Sequence, residues 1–379
     1  MNQLFYKKTY DVVYLTTDSI QEGVGTSQII PLLRGLARSG NSLALVSFEK
    51  KVPDQFLISQ IKEFGIDWLP LNYGKNGAIP GFLRLLRLRN AIPPARLIHA
   101  RSDIPAVAAI FRFKRTPVVW DVRSLWGSQR GMVKTKGWNF ITILLAESLE
   151  KIAAHRSQAL VTLTESVVPV LLKRHKKIPT LRTVIPTSVQ LEKFKPVGEM
   201  PRSKICLLSG TYNNFYDLEV MGFLLGKLKE SIHFKIIWAR PSESSTIQMN
   251  FGEIEVLNPK YDEIPHLISE SSFSVLILRD QNREVLSAVA PTKIAEFLAC
   301  GKPILINSGI GDLDNHIVKY KAGVVIDFSR NIDEQLNNFI RILNDPETAR
   351  NCRRLAEDLY SMDIAITKYQ KIYQEVLDI

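Results

Sequence analysis

In the stretch APTKIAEFLACGKPILIN, Ala290 to Asn307, three residues able to do chemistry stand close together: Thr292, Lys293 and Glu296. Pro291 suits the first helical position, where a missing N–H costs nothing, and Gly301 suits the position just past the helix end. At about 100° per residue, Ile294, Ala295, Phe297 and Leu298 share one broad arc that can pack on a sheet. Thr292, Lys293 and Glu296 fall on the remaining arc, near the helix start. As a solvated polar face, a Lys–Glu pair three apart stabilises a helix by only tenths of a kcal/mol. As a binding site, the same arc offers more. The helix start supplies free N–H groups to a diphosphate, Lys293 and Arg283 add charge, and Glu296 can accept two hydrogen bonds from a ribose diol.

Other loops carry similar chemistry. In DSIQEGVGTSQII, Gly23 and Gly25 allow a tight turn and close backbone approach before a helix. The third glycine of a dinucleotide fingerprint is missing, and a plain strand–helix turn accounts for the pair equally well. LIHARSDIPA places Arg101 and Ser102 at the end of a buried strand, and PVVWDVRSLWGSQR places Asp121 and Arg123 likewise. Arginine's planar fork fits phosphate oxygens, while an Asp–Arg ion pair tying loops together is an equal reading.

The elements that must position these residues alternate along the chain. Strand-like runs DVVYLTT, SLALVSF, DWLPLNY, RLIHAR, PVVWDV and ALVTLTE are separated by amphipathic stretches such as Ser27–Arg38 and Trp138–Ala154. After TVIPTSVQLEKFKPVGEMPRS the alternation restarts with KICLLSG, FKIIWAR, EIEVLNP, FSVLILR, KPILIN and AGVVIDF. Strand–helix alternation implies parallel sheets with helices on both faces. A length of 379 residues exceeds what one core usually supports, so two doubly wound α/β domains are expected. In such sheets ligands sit beyond the carboxyl ends of the strands, here facing each other across a cleft.

Composition narrows the classes. With 45% hydrophobic and 23% charged residues the chain is ordinary globular material. No segment approaches the ~18 consecutive apolar residues of a membrane span, and the opening MNQLFYKKTYDVVYLTT has no leader pattern. Cys206, Cys300 and Cys352, three and widely separated, are expected to be reduced thiols in a cytoplasmic protein. No His/Asp/Glu cluster has ligand spacing, so neither a metal nor another cofactor is expected. Residues 1–190 hold 27 Lys and Arg against 12 Asp and Glu, a balance of +15, and the remainder balances at −4 to give the overall +11. A basic half attracts phosphates, nucleic acid or an anionic membrane surface. No recognition helix or aromatic platform for nucleic acid appears.

These motifs together resemble the family 4 glycosyltransferases of the GT-B fold, retaining and metal-independent, and the resemblance covers nearly the whole chain. APTKIAEFLACGKPILI resembles the donor motif of the Ser-Pro-Thr-Lys subgroup. The opening glycine loop resembles the acceptor-side start, and TVIPTSVQLEKF the hinge. The resemblance implies that Glu296 holds the nucleotide ribose, that the backbone of Thr292 and Lys293 lies against the diphosphate, and that HARS and DVRSLW face the donor's sugar and phosphates. It also implies an acceptor-side domain over 1–187, a nucleotide-sugar domain over 188–344, and C-terminal helices over 345–379 returning to the first domain. The chain departs from the pattern in two places. Ala288 stands where the family often has a second glutamate, and Thr211 with aromatics replaces a basic pair. Phosphate charge is then expected from Arg279, Arg283, Lys293 and Arg101.

The activity implied is transfer of a sugar from a nucleoside-diphosphate sugar to a hydroxyl acceptor, by front-face chemistry in which the diphosphate assists deprotonation. Asp121 is a candidate base. A sugar-nucleotide epimerase or hydrolase of the same fold, or a non-catalytic nucleotide-binding scaffold, are the alternatives. Within the basic half, GFLRLLRLRNAI, Gly81 to Ile92, places Phe82, Leu85, Leu86 and Arg89 at helical spacings, with Arg84 and Arg87 on a different side. Such a stretch can lie in a headgroup layer or pack on the sheet with its arginines in water. With the resemblance, it points to a lipid-linked glycan acceptor of surface polysaccharide synthesis, such as lipopolysaccharide or capsule, at the inner face of the cell membrane.

Overall fold

The computed structural model describes residues 3–75, 77–131, 139–196, 203–212, 215–240, 253–279 and 282–378. They form two compact units, Met1–Pro186 with Met362–Ile379, and Thr187–Ser361. Sequence grouped residues 345–361 with the returning tail. Here Cys352, Leu355, Ala356 and Tyr360 belong to the second unit's core, and only the helix Met362–Leu377 joins the first.

The first unit is built on seven parallel strands: β1 (Tyr10–Leu15), β2 (Leu43–Glu49), β3 (Ile66–Asn72), β4 (Ala95–Arg101), β5 (Val118–Val122), β6 (Ala159–Thr162) and β7 (Leu181–Val184). Their order is β3-β2-β1-β4-β5-β6-β7. Every residue of β2 and β5 is buried, as expected of strands covered on both faces. β7 is absent from the sequence reading because LRTV runs directly into the prolines of the hinge. The strand order reverses between β1 and β4, so the loops leaving these two strands flank a topological switch point. Gly23 follows β1 and Arg101 ends β4. The last helix seals this sheet with Met362, Ala365, Tyr369, Ile372, Tyr373 and Val376, each three or four residues from another and so on one face. The helix Asn139–Arg156 matches the second amphipathic stretch, whose first residue, Trp138, lies outside the described residues.

The second unit has β8 (Lys204–Ser209), β9 (Phe234–Ala239) and β10 (Ile254–Leu257) in the order β10-β9-β8, and β11 (Ser274–Leu276), β12 (Ile304–Asn307) and β13 (Gly323–Ile326) in the order β11-β12-β13, all parallel. Serine side chains stitch β8 to β11. Ser272 Oγ accepts from Ile205 N at 3.0 Å, and Ser274 Oγ donates to the Leu207 carbonyl at 2.7 Å. FSVLILR forms a shorter strand than its apolar run suggests, because the Asn307 side chain takes over the pairing: its Oδ1 accepts from Leu278 N at 2.8 Å and its Nδ2 donates to Leu278 O at 3.0 Å. That exchange frees the chain to turn at Arg279. Among the described residues no helix is long and apolar enough to cross a membrane.

Candidate functional site

In the second unit the helix Thr292–Ala299 starts after Pro291. Ile294, Ala295, Phe297 and Leu298 enter the core. The preceding turn is held from the start of the unit, where Thr187 Oγ1 donates to the Ala290 carbonyl at 2.6 Å. Past the helix, Gly301 adopts φ +73°, and a Cβ there would meet Ala349 O at 3.1 Å, so the stop requires glycine.

Glu296 is 8% exposed. Among the described residues its carboxylate makes no hydrogen bond and no ion pair. Burial pushes its pKa up to about 7, opposed by Lys293 and Lys193. Lys293 turns toward the end of β8: Nζ donates to Thr211 O at 3.1 Å and sits 3.9 Å over the Tyr212 ring and 4.7 Å over Tyr216. Burial brings its pKa down to about 7 against the pull of Glu296. Gly210, at φ +77°, lies beneath this side chain, and a Cβ there would come within 3.3 Å of Lys293 Cε. Arg279 joins the same group by donating Nε–H to Tyr216 O at 3.1 Å. Thr211, Arg279, Thr292, Lys293 and Glu296 are thus gathered by local contacts. Arg283 is exposed at the first position of the helix Arg283–Ser287; hydrogen bonds from Ser329 chiefly hold the Asp327 pKa down, with Arg330 and then Arg283 adding to it. Ala288 is buried. The chemistry on offer is a helix start and a lysine for phosphate oxygens, with a spare carboxylate one turn on.

In the first unit the loop after β1 borders a cavity of about 530 Å³, whose wall includes Asp18, Glu22, Gly23, Arg84, Ser102 and Asp103. The two loop glycines have different reasons. Gly23 adopts φ +47°, and its carbonyl accepts from Ser27 N at 3.1 Å and from the hydroxyls of Thr26 and Ser27. Gly25 is a close approach, since a Cβ there would fall 2.2 Å from Ile20 Cα. Sequence reasoning missed Glu49, which organises this loop from the end of β2. Its carboxylate accepts from Ser19 Oγ at 2.5 Å, Ile20 N at 3.1 Å, Gln21 Nε2 at 3.0 Å and Ser47 Oγ at 2.6 Å. The signal was an acid ending a strand that is apolar but for Ser47. Arg101 is buried, and its Nε–H donates to Asp18 at 2.9 Å. Ser102 holds φ +79° before the helix Asp103–Arg112, a strained conformation for a residue with a side chain.

Asp121 and Arg123 form the ion pair that was one of the two readings of their spacing. Asp121 is fully buried. Its Oδ2 accepts from Arg123 at 2.9 and 2.6 Å, from Tyr369 Oη at 3.1 Å, and pairs with His99 Nε2 at 3.0 Å. Arg123 also donates to Tyr369, and His99 Nδ1 bonds Tyr373 Oη. Burial works to raise the Asp121 pKa, but Arg123, then His99 and Arg101, override it and hold the carboxyl well below the usual range. Burial lowers the His99 pKa against Asp121. The network ties the last helix to the ends of β4 and β5. The cavity wall contains neither Asp121 nor Arg123.

The helix Ala78–Ala91 corrects the reading of GFLRLLRLRNAI. Arg84 is not on a solvent face: it is 8% exposed, stacks 4.3 Å over the Tyr73 ring, and donates Nη1–H to the carbonyls of Tyr73 and Lys75 at 3.3 and 2.8 Å. Leu85 and Leu88 are buried, whereas Phe82 and Leu83 are exposed, as is Arg87.

No family model matches the chain, and no curated protein matches it in sequence. Solved structures do. It is similar to sucrose-phosphate synthase from Thermosynechococcus elongatus, with 14% identity over 97% of this chain and 99% of that one and a TM-score of 0.70. The Anabaena protein HepE in complex with UDP-glucose matches with 12% identity over 98% and 100% of the two chains and a TM-score of 0.66. WaaG, a glycosyltransferase involved in lipopolysaccharide biosynthesis, matches with 13% identity over 94% and 99% and a TM-score of 0.65. At such identities the likeness establishes the fold, which is GT-B.

Proposed function

We propose that the protein transfers a sugar, with retention, from a nucleoside-diphosphate sugar to a hydroxyl acceptor. The observation that carries this reading is Glu296. A nearly buried carboxylate without a partner is costly to keep, and it stands one turn into a helix whose start and Lys293 suit a diphosphate. A ribose diol would satisfy the carboxylate. The diphosphate would draw Lys293 from its place over Tyr212 and Tyr216, and Lys293, the Thr292 backbone and Arg279 would stabilise the leaving group as the glycosidic bond breaks. The structure HepE was solved with UDP-glucose, which supports a nucleotide-sugar donor. Asp121 and Arg123 are positioning residues in this account, and the diphosphate itself assists the acceptor's deprotonation. A thermal-shift screen of the full chain against UDP, GDP, ADP and dTDP tests the reading, because a selective ligand stabilises the fold. One nucleotide raising Tm in the native chain but not in Glu296→Ala is expected; no nucleotide doing so would overturn it.

The acceptor is proposed to be a lipid-linked glycan at the inner membrane face. Phe82, Leu83 and Arg87, exposed on one helix in a half of the chain with a +15 balance, support this reading, as does likeness to WaaG.

A further inference from the structure

Among the described residues, the first unit's cavity contains a cation that no carboxylate neutralises. Along its wall, among the described residues, Asp18 is taken by Arg101 at 2.9 Å and Glu22 by Lys50 at 3.4 Å. Asp103 accepts Trp120 Nε1–H at 3.0 Å, and burial pushes its pKa up to about 8. Arg84 has neutral partners: the Tyr73 ring and the carbonyls of Tyr73 and Lys75, both of which bind Nη1. Its other edge, Nε and Nη2, makes no hydrogen bond among the described residues. Gly81 lies beside this edge, where an ideal Cβ would stand 3.8 Å from Nη2.

An arginine that is 8% exposed and, among the described residues, lacks a counter-charge is expensive to hold in a protein. Here it is also pre-set: stacking and two carbonyls fix the plane, leaving the side-on edge for two oxygens of one acid group. We propose that this cavity binds an acid group of the acceptor, a carboxylate or a phosphate ester, against the Nε–Nη2 edge of Arg84. The inference rests on reading the first unit as the acceptor side. Hydroxyls of Thr17, Ser102 and Ser124 in the same wall supply hydrogen bonds to a sugar, and the basic balance of this half draws the anion in.

Calorimetric titration of the full chain carrying Lys293→Ala and Glu296→Ala removes the nucleotide site from the measurement. The probes are methyl glucuronide, n-octyl phosphate and neutral methyl glucoside. At least one acid probe should bind more tightly than the glucoside and lose about ten-fold or more in affinity on Arg84→Gln, the loss expected when a charge-assisted pair is removed. Arg84→Lys, which keeps the charge but not the fork, should lose less and guards against a folding defect. Methyl glucuronide as the sensitive probe assigns a uronic-type acceptor, and octyl phosphate assigns the phosphate of a lipid carrier. Neither acid binding, the glucoside binding equally well, or acid binding unchanged in both Arg84 variants would overturn the proposal. Nucleotide binding by the native chain, measured separately, reports on the donor reading, so the two ideas fail independently.

Discussion

Replacing Glu296 with glutamine should stabilise the empty protein and weaken its hold on nucleotide. The carboxyl's folded pKa is raised by burial from 4.5 to about 7. The folded state therefore binds its proton more tightly than the unfolded state, and stability falls as pH rises through that window. Below about 4.5 the group costs nothing; above about 7 the cost is complete. At 1.36 kcal/mol per pKa unit the ceiling is roughly 3 kcal/mol, and a unit of this size gains about 2–4 °C per kcal/mol. Glu296→Gln should thus raise the apo Tm by several degrees at pH 8, with the gain vanishing at about pH 4. The same substitution should weaken nucleotide binding about ten-fold or more, since a charge-assisted pair of hydrogen bonds is replaced by a neutral one. Differential scanning calorimetry at the two pH values, with titration of the preferred nucleotide, reads both effects. A lower Tm at pH 8, or unchanged nucleotide affinity in a folded variant, would refute the reasoning.

Asp121→Asn should destabilise the first unit by about 3–5 kcal/mol, because it leaves the buried Arg123 without its counter-charge; limited proteolysis should then release the helix Met362–Leu377 early, and unchanged protection would argue against the latch. Gly25→Ala should lower Tm by far more than Gly23→Ala, given the 2.2 Å approach to Ile20 Cα, and equal losses would contradict the close-approach account. Sedimentation with vesicles should require anionic lipid, fall with salt, and weaken when Phe82 and Leu83 become serine and Arg87 becomes glutamine. Equal binding to neutral vesicles would favour a soluble acceptor.

The strand runs and the helix after Pro291 were legible because continuous apolar stretches and the Pro/Gly punctuation act locally. β11 was overextended because the residue that shortens it, Asn307, lies 29 positions away. Arg84 was misplaced for a related reason. A helical wheel gives its direction but not its neighbour, and the 73–75 segment that caps it comes from the end of β3. Asp121 and Arg123 read as site residues from their place at a strand end, while the partner that occupies them both, Tyr369, arrives nearly 250 residues later. Glu296 was legible since its signal is local: a threonine, a lysine and a glutamate share one arc of a short helix between a proline and a glycine.

The central claim is tested most directly by following the anomeric signals of a nucleotide sugar by NMR, with the full chain and a hydroxyl acceptor present. Release of nucleoside diphosphate together with a new glycoside of the donor's own anomeric configuration is the expected result. Free sugar alone, an epimerised nucleotide sugar, an inverted glycoside, or no turnover of any sugar nucleotide would contradict it.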